Sequence, residues 1–273
     1  LLGNNDLQTD DQITDAGVPQ AIRLLARVPL LLGEWMRQRD GRPSVEPSLV
    51  LSYASNLHLL LTGEEPSPVA EQALTTMLIL GADDALTPSS FAARIAASTG
   101  SDLISSVSAA IGTCSGSIFA KRYFAIQHIL STIGSREDAE RWVKYRVRES
   151  VPLPGFGPAR DAWTDPRAAL LDRWCLELAE ETGHQEKEQI ADAIQWAVWE
   201  TTGRAPTLDW PAARLFDYLG IDRDLHSALF ICARLAGWAA HVIEQAEEDE
   251  VIRPRSRYRG AERIEFEPLT DRG

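Results

Sequence analysis

Histidine, cysteine and methionine are scarce in this 273-residue chain, which has five, three and two of them. Cys114, Cys175 and Cys232 lie far apart, without CxxC spacing and inside apolar helical patterns, so they read as buried reduced thiols in a reducing compartment, the cytoplasm. With no HxxxH spacing and no His/Cys/Asp cluster, neither a metal nor a bound cofactor is expected. Positive charge is also short: 27 Lys and Arg face 40 Asp and Glu, a formal charge of −13. That field repels phosphate backbones and anionic lipid heads, so nucleic acid is not an expected partner. No membrane span is expected either. The likeliest segment, Ala21 to Met36, is broken by Arg23, Arg27, Pro29 and Glu34 and falls short of the roughly 20 apolar residues a span needs. It reads as a core helix. The chain opens on Leu1-Leu2 without Met, charged n-region or cleavage site, an opening expected of a fragment with further sequence upstream.

β-Branched runs that alternate are nearly absent too, while apolar residues recur every three or four positions. The fold class is therefore all-α, with 44% hydrophobic residues to fill a large core. Helices are predicted near residues 17–38, 46–62, 67–80, 88–99, 102–114, 118–133, 136–149, 166–182, 186–202, 211–219 and 224–246. Small polar residues followed by proline mark several starts, most clearly Thr87-Pro88 and Asp165-Pro166, where an N-cap side chain precedes an N1 residue whose missing N–H costs nothing. Pro and Gly concentrate in Val151 to Asp165 (VPLPGFGPARDAWTD) and Gly203 to Pro211 (GRAPTLDWP), two loops long enough to hold a ligand. The tail Arg263 to Leu269 alternates weakly, as a short edge strand would.

Arginines in unusual contexts merit attention, because an acidic protein binds a small anion only where guanidinium groups converge. Arg234 lies between LFICA and LAGWAA on a helix apolar almost all round, and a buried arginine needs an anionic partner. Arg167 opens a helix after Asp165-Pro166, where a first-turn surface arginine is equally ordinary. Arg253 belongs to the basic run VIRPRSRYRG after Glu247-Glu248-Asp249-Glu250, a solvated cluster on its own terms. Asp209, two residues before Pro211, reads as a helix cap. His58 and His241 fall on apolar helices as satisfied structural histidines, and His184 follows the helix-ending Gly183.

Six stretches in order carry a resemblance that no one of them would carry alone: LSYASNLHLLLTGEEPSP (51–68), LILGADDALTPSSFAARIAAST (78–99), PGFGPARDAWTDPRA (154–168), PTLDW (206–210), LFICARLAGWAAHVIEQ (229–245) and IRPRSRY (252–258). From about Ala21 to Gly260 the chain resembles citrate synthase, with the family's N-terminal segment missing. The resemblance implies a large helical domain (1–117 and 225–273) with a small helical domain (118–224) inserted, and a homodimer or a heterodimer with a citrate synthase paralogue. It also implies acetyl-CoA or another acyl-CoA, and oxaloacetate or another di- or tricarboxylate, as substrates. By the same resemblance Asp209 holds the place of the catalytic base, and Arg167, Arg234 and Arg253 hold the substrate carboxylates, Arg253 from the partner subunit. The family's histidines are replaced. Gly81 stands at the first histidine of HADHE and Asp84 at the second, Phe119 stands at the enolate-stabilising histidine of GPxHG, and Pro158 stands at the histidine of GFGH that faces the keto oxygen. Proline has neither a side-chain donor nor an N–H. The citryl-CoA-cleaving module of ATP-citrate lyase, a relative, carries Phe at its GPxHG counterpart but keeps the GFGH histidine. Lys121 and Arg122, where the family has GGAN, read as a solvated helix start or as a phosphate contact. Three functions remain in view: a weakened acyl-CoA/oxaloacetate condensing enzyme, a non-catalytic carboxylate-binding subunit or regulator, and a citryl-CoA lyase.

Overall fold

Capping side chains start several of the helices. Ser52, Ser67, Thr87, Asp102, Ser135 and Asp165 each accept a hydrogen bond from a backbone N–H of the first turn, and Pro68, Pro88 and Pro166 follow three of them directly. The structure is a computed structural model that describes residues 13–157, 165–248, 250–260 and 268. Among the described residues the elements are α1 (Ile13–Arg39), α2 (Tyr53–Thr62), α3 (Pro68–Gly81), α4 (Pro88–Ala97), α5 (Leu103–Cys114), α6 (Ser117–Ala120), α7 (Arg122–Thr132), α8 (Arg136–Arg148), α9 (Pro166–Thr182), α10 (Gln185–Thr202), α11 (Asp209–Tyr218) and α12 (His226–Glu247), with no strand. The all-α expectation holds. Pro158 and most of the tail expected as an edge strand lie outside the described residues.

The helix predicted over 46–62 begins only at Tyr53. Ser52 caps it, and the Asn56 amide bonds back to Ser48 and Leu51, fixing a turn that leaves Leu49 and Val50 exposed. The helix predicted over 118–133 is two, α6 and α7, joined at Lys121. Ala21 to Met36 lies within α1 as expected. The segment closest to a membrane span in length and hydropathy is instead residues 223–247, which include α12, and 56% of its most apolar window is buried inside the fold.

Helix α12 packs on α1, α3, α4 and α5. Trp238, Leu235 and Val242 of α12 meet Leu103, Val107 and Ala110 of α5 and Ala93 and Ala97 of α4 in one core cluster. A larger cluster runs through α2, α3 and α7 to α11 around Trp210, Phe216, Leu74 and Leu171. Two glycines set the spacing between α12 and the turn after α3. A Cβ on Gly237 would stand 2.9 Å from the Ala82 carbonyl carbon and closer still to its oxygen, and one on Gly81 would stand 2.9 Å from Ala233 Cβ. That close approach carries Arg234, between Ala233 and Gly237, up to the turn.

Candidate active site

The two Pro/Gly loops lie side by side. Gly157 N–H donates to Ala205 O at 3.1 Å and Thr207 N–H to Gly155 O at 2.9 Å, so each loop satisfies polar groups of the other. Phe156 packs on Trp210 with ring centroids 4.7 Å apart. Gly155 makes this possible with φ +82°, and a Cβ there would come to 3.0 Å from the Trp210 ring.

This pairing fixes the start of α11, where Asp209 is the first helical residue rather than a cap. The N-cap position is Leu208, without a side-chain cap bond. The Asp209 carboxylate turns inward instead and is 7% exposed. Its oxygens accept from the Arg122 guanidinium, from Tyr123 Oη at 3.2 Å and from Thr207 Oγ1 at 3.4 Å. Burial pushes its pKa up, against the opposing pull of Arg122 and the hydroxyl donors. The Arg122 guanidinium carbon stands 4.7 Å from the Phe119 ring centre, a cation–π contact.

A raised folded-state pKa means that the fold binds the Asp209 proton more tightly than the unfolded chain does. The resulting stability is full below the ordinary carboxylate range and is lost as pH rises through the folded-state value. Asp209→Asn is therefore expected to raise stability at pH 7 by about 0.5–2 kcal/mol, the scale typical of relieving a functional site. The gain should vanish on acidification, where the wild-type carboxyl is already neutral. Melting temperatures at pH 4 and pH 7 check both parts.

The arginines meet around the turn after α3. Arg167 clasps Asp165 with Nε and Nη2, both at 2.9 Å, pairs with Asp84 at 2.9 Å and donates to Asp83 O at 3.1 Å. Hydrogen bonding to Asp165 raises its pKa. Burial pushes the Asp165 carboxyl up, but the Arg167 bonds and backbone N–H groups outweigh it and hold the carboxyl below its usual value. Arg234 is 3% exposed, and among the described residues its hydrogen bonds go to neutral oxygens: Gly81 O at 3.3 Å, Thr87 Oγ1 at 3.2 Å and Ser90 Oγ at 3.5 Å. The directly bonded anionic partner expected from the sequence is missing from that set. Burial depresses the Arg234 pKa, with Asp83 and Asp84 opposing from a distance. Asp165 Oδ2 also accepts from Leu208 N–H at 3.2 Å, which ties the partner of Arg167 to the residue before Asp209. Arg253 is exposed, on an open cleft of about 720 Å³ that Ala85, Arg94 and His241 also line.

None of the five histidines bonds to Asp209. His58 joins Glu64 O and Leu219 O, His226 joins Ile221 O, His184 joins Thr182 and His128 is exposed. His241 accepts from Arg94 Nε at 2.9 Å and meets Asp83 Oδ1 at 3.1 Å, so it is satisfied while bracing the turn beside Arg167.

A buried aspartate beside converging arginines, on a fold of this order, matches one family over nearly the whole chain. The family model for the citrate synthase C-terminal domain matches residues 2–255. The chain belongs to the citrate synthase family. Citrate synthase 2 of Bacillus subtilis (strain 168) is 35% identical over the full length of this chain and 73% of its own. The crystal structure of citrate synthase from Thermotoga maritima is 30% identical, with TM-score 0.82, covering 93% of this chain and 70% of that one. Citryl-CoA lyase from Hydrogenobacter thermophilus is 26% identical, with TM-score 0.67, over 80% of this chain and 88% of that one.

Arg122 is the site residue that sequence reasoning missed, since a basic pair at a helix start is ordinarily solvated. The available signal was a cation three residues after Phe119, a spacing that puts two side chains on one helix face. The second miss is Asp84, which presents a carboxylate to Arg167.

Proposed function

We propose that this member of the citrate synthase family binds an oxaloacetate-like dicarboxylate between Arg167 and Arg234, with Asp209 as base, and condenses it with an acyl-CoA far more slowly than an enzyme with the histidines in place. One observation supports the binding half most: Arg234 is a buried guanidinium whose described bonds all go to neutral oxygens. A cation in low dielectric without a directly bonded anion is unsatisfied, and a ligand carboxylate would relieve it. The chemistry is attenuated because Gly81, Phe119 and Pro158 hold no donor where the family has imidazoles. Each lost oxyanion-type donor is worth about 3–4 kcal/mol, with non-additive sums. Binding depends less on those donors than turnover does.

On this reading residues 118–224 close over the seam as a smaller domain, water is excluded on closure, and Arg253 serves a partner chain, either a second copy or an intact paralogue. Oxaloacetate at about a hundred times its Kd should then stabilise the protein by about 2.7 kcal/mol. Arg234→Ala should weaken binding by about 2–5 kcal/mol, the usual loss of one partner of a buried charge pair. Thermal-shift titrations of both proteins test this, and a wild type unmoved by oxaloacetate and citrate would end the proposal. A second reading, cleavage of a citryl thioester, is favoured by the likeness to citryl-CoA lyase and predicts breakdown of supplied citryl-CoA without net condensation.

A further inference from the structure

Phe119, Arg122, Tyr123, Asp209, Ser227 and Phe230 surround a small pocket of about 20 Å³, room for one methyl-sized group. Its walls hold a base and a cation together. Asp209 is buried, and Arg122 gives it one N–H. The Phe119 ring covers one face of the same guanidinium, at 4.7 Å from its central carbon. Guanidinium carries five N–H donors in a fixed plane. Among the described residues Arg122 hydrogen-bonds to Asp209 alone, which leaves N–H groups on the pocket edge for a second oxygen. Arg122 is held from below as well, because Ser227 Oγ donates to Ala120 O at 3.1 Å and anchors the short helix just before it.

Such a pairing suits removal of a proton from the carbon next to a thioester carbonyl. Asp209 takes that proton, the C–H electron pair becomes the new C=C bond, and the carbonyl π pair moves onto oxygen. The products are an enolate and a neutral Asp209 carboxyl, and return of the proton restores both reactants. The enolate oxygen needs a preorganised donor about 3 Å away in a dry site. We propose that Arg122 is that donor, so that Arg122 and Asp209 together form an acyl-thioester enolisation site in place of the lost imidazole. The proposal rests on the reading of Asp209 as base. It adds an activity that the loss of the keto-oxygen donor leaves intact: proton exchange at the acyl methyl without condensation.

Acetyl-CoA incubated with the protein in D₂O, followed by NMR of its methyl protons, tests this. The wild type should exchange above the buffer rate, Asp209→Asn should fall to it, and Arg122→Lys and Arg122→Gln should exchange ten- to a hundredfold more slowly than wild type. Circular dichroism melts identify variants that remain folded at the assay temperature. The pH profile separates a donor from a group that merely holds Asp209 ionised. As a donor, Arg122 leaves a deficit in Arg122→Gln that persists as pH rises, whereas a deficit that closes at higher pH overturns the proposal. Exchange at or above the wild-type rate in folded Arg122→Lys overturns it too, by making Arg122 a lock on the base. Absence of wild-type exchange while oxaloacetate still raises the melting temperature sinks this proposal alone; absence of both responses sinks the dicarboxylate reading with it.

Discussion

Arg214→Ala is expected to cost about 3–5 kcal/mol of stability, because removing one partner of a buried ion pair strands the other. Arg214 is 1% exposed and bonds Glu188 Oε2 at 2.7 Å and the Asp172 carboxylate. Tyr218 Oη adds a bond to Glu188 Oε1 at 2.6 Å. Burial already pushes the Glu188 pKa up, with Arg214 opposing that push, so loss of the guanidinium leaves a carboxylate that must protonate or pull water into the core. Urea unfolding monitored by tryptophan fluorescence measures the loss. The effect should shrink in an Arg214→Ala/Glu188→Gln double variant, since that removes the stranded charge.

Gly237→Ala should cost about 3 kcal/mol, at the upper end for overpacking, because the added methyl meets rigid backbone rather than a side chain that can rotate away. Its Cβ would run into the Ala82 carbonyl. The turn at residues 81 to 85 is already constrained: Ala85 has φ +52°, which a non-glycine residue rarely adopts, and Asp83 accepts from the Ala85 N–H at 3.0 Å. Pushing α12 away would separate Arg234 from Gly81 O and disturb Asp83 and Asp84 beside Arg167. Stability and oxaloacetate affinity should therefore fall together. The same thermal-shift titrations used for Arg234→Ala would detect this, and a destabilised variant with unchanged affinity would show that the turn does not shape the seam.

Much of the fold could be read directly from the chain. Helix period and the pairs Thr87-Pro88 and Asp165-Pro166 are local signals, and the observed caps use them as expected. Where the reading slipped, a side chain competed with the helix: Asn56 holds residues 48 to 51 in a turn that periodicity alone counts as helical. Site residues were legible in proportion to how local their context is. Arg234 stands out because the helix around it is apolar almost all round, and it is buried as that implies. Its neutral surroundings were not legible, because Gly81, Thr87 and Ser90 come from some 150 residues away. Asp209 and Arg122 are 87 residues apart, and nothing in either segment announces that a cation answers a buried carboxylate. Sequence separation also hid the contact between the two Pro/Gly loops, which depends on Gly155 and Trp210 meeting in space.

The measurement that bears most directly on the central claim is steady-state release of CoA thiol from acetyl-CoA at saturating oxaloacetate. Typical enzymes turn over at about 10 s⁻¹, and the proposed loss of preorganised donors, each worth roughly a hundred- to a thousandfold, predicts about 10⁻² s⁻¹ or less here. A rate of about 1 s⁻¹ or more would contradict the account, since it would mean that Asp209, Arg122 and the arginine seam perform the full condensation without the imidazoles.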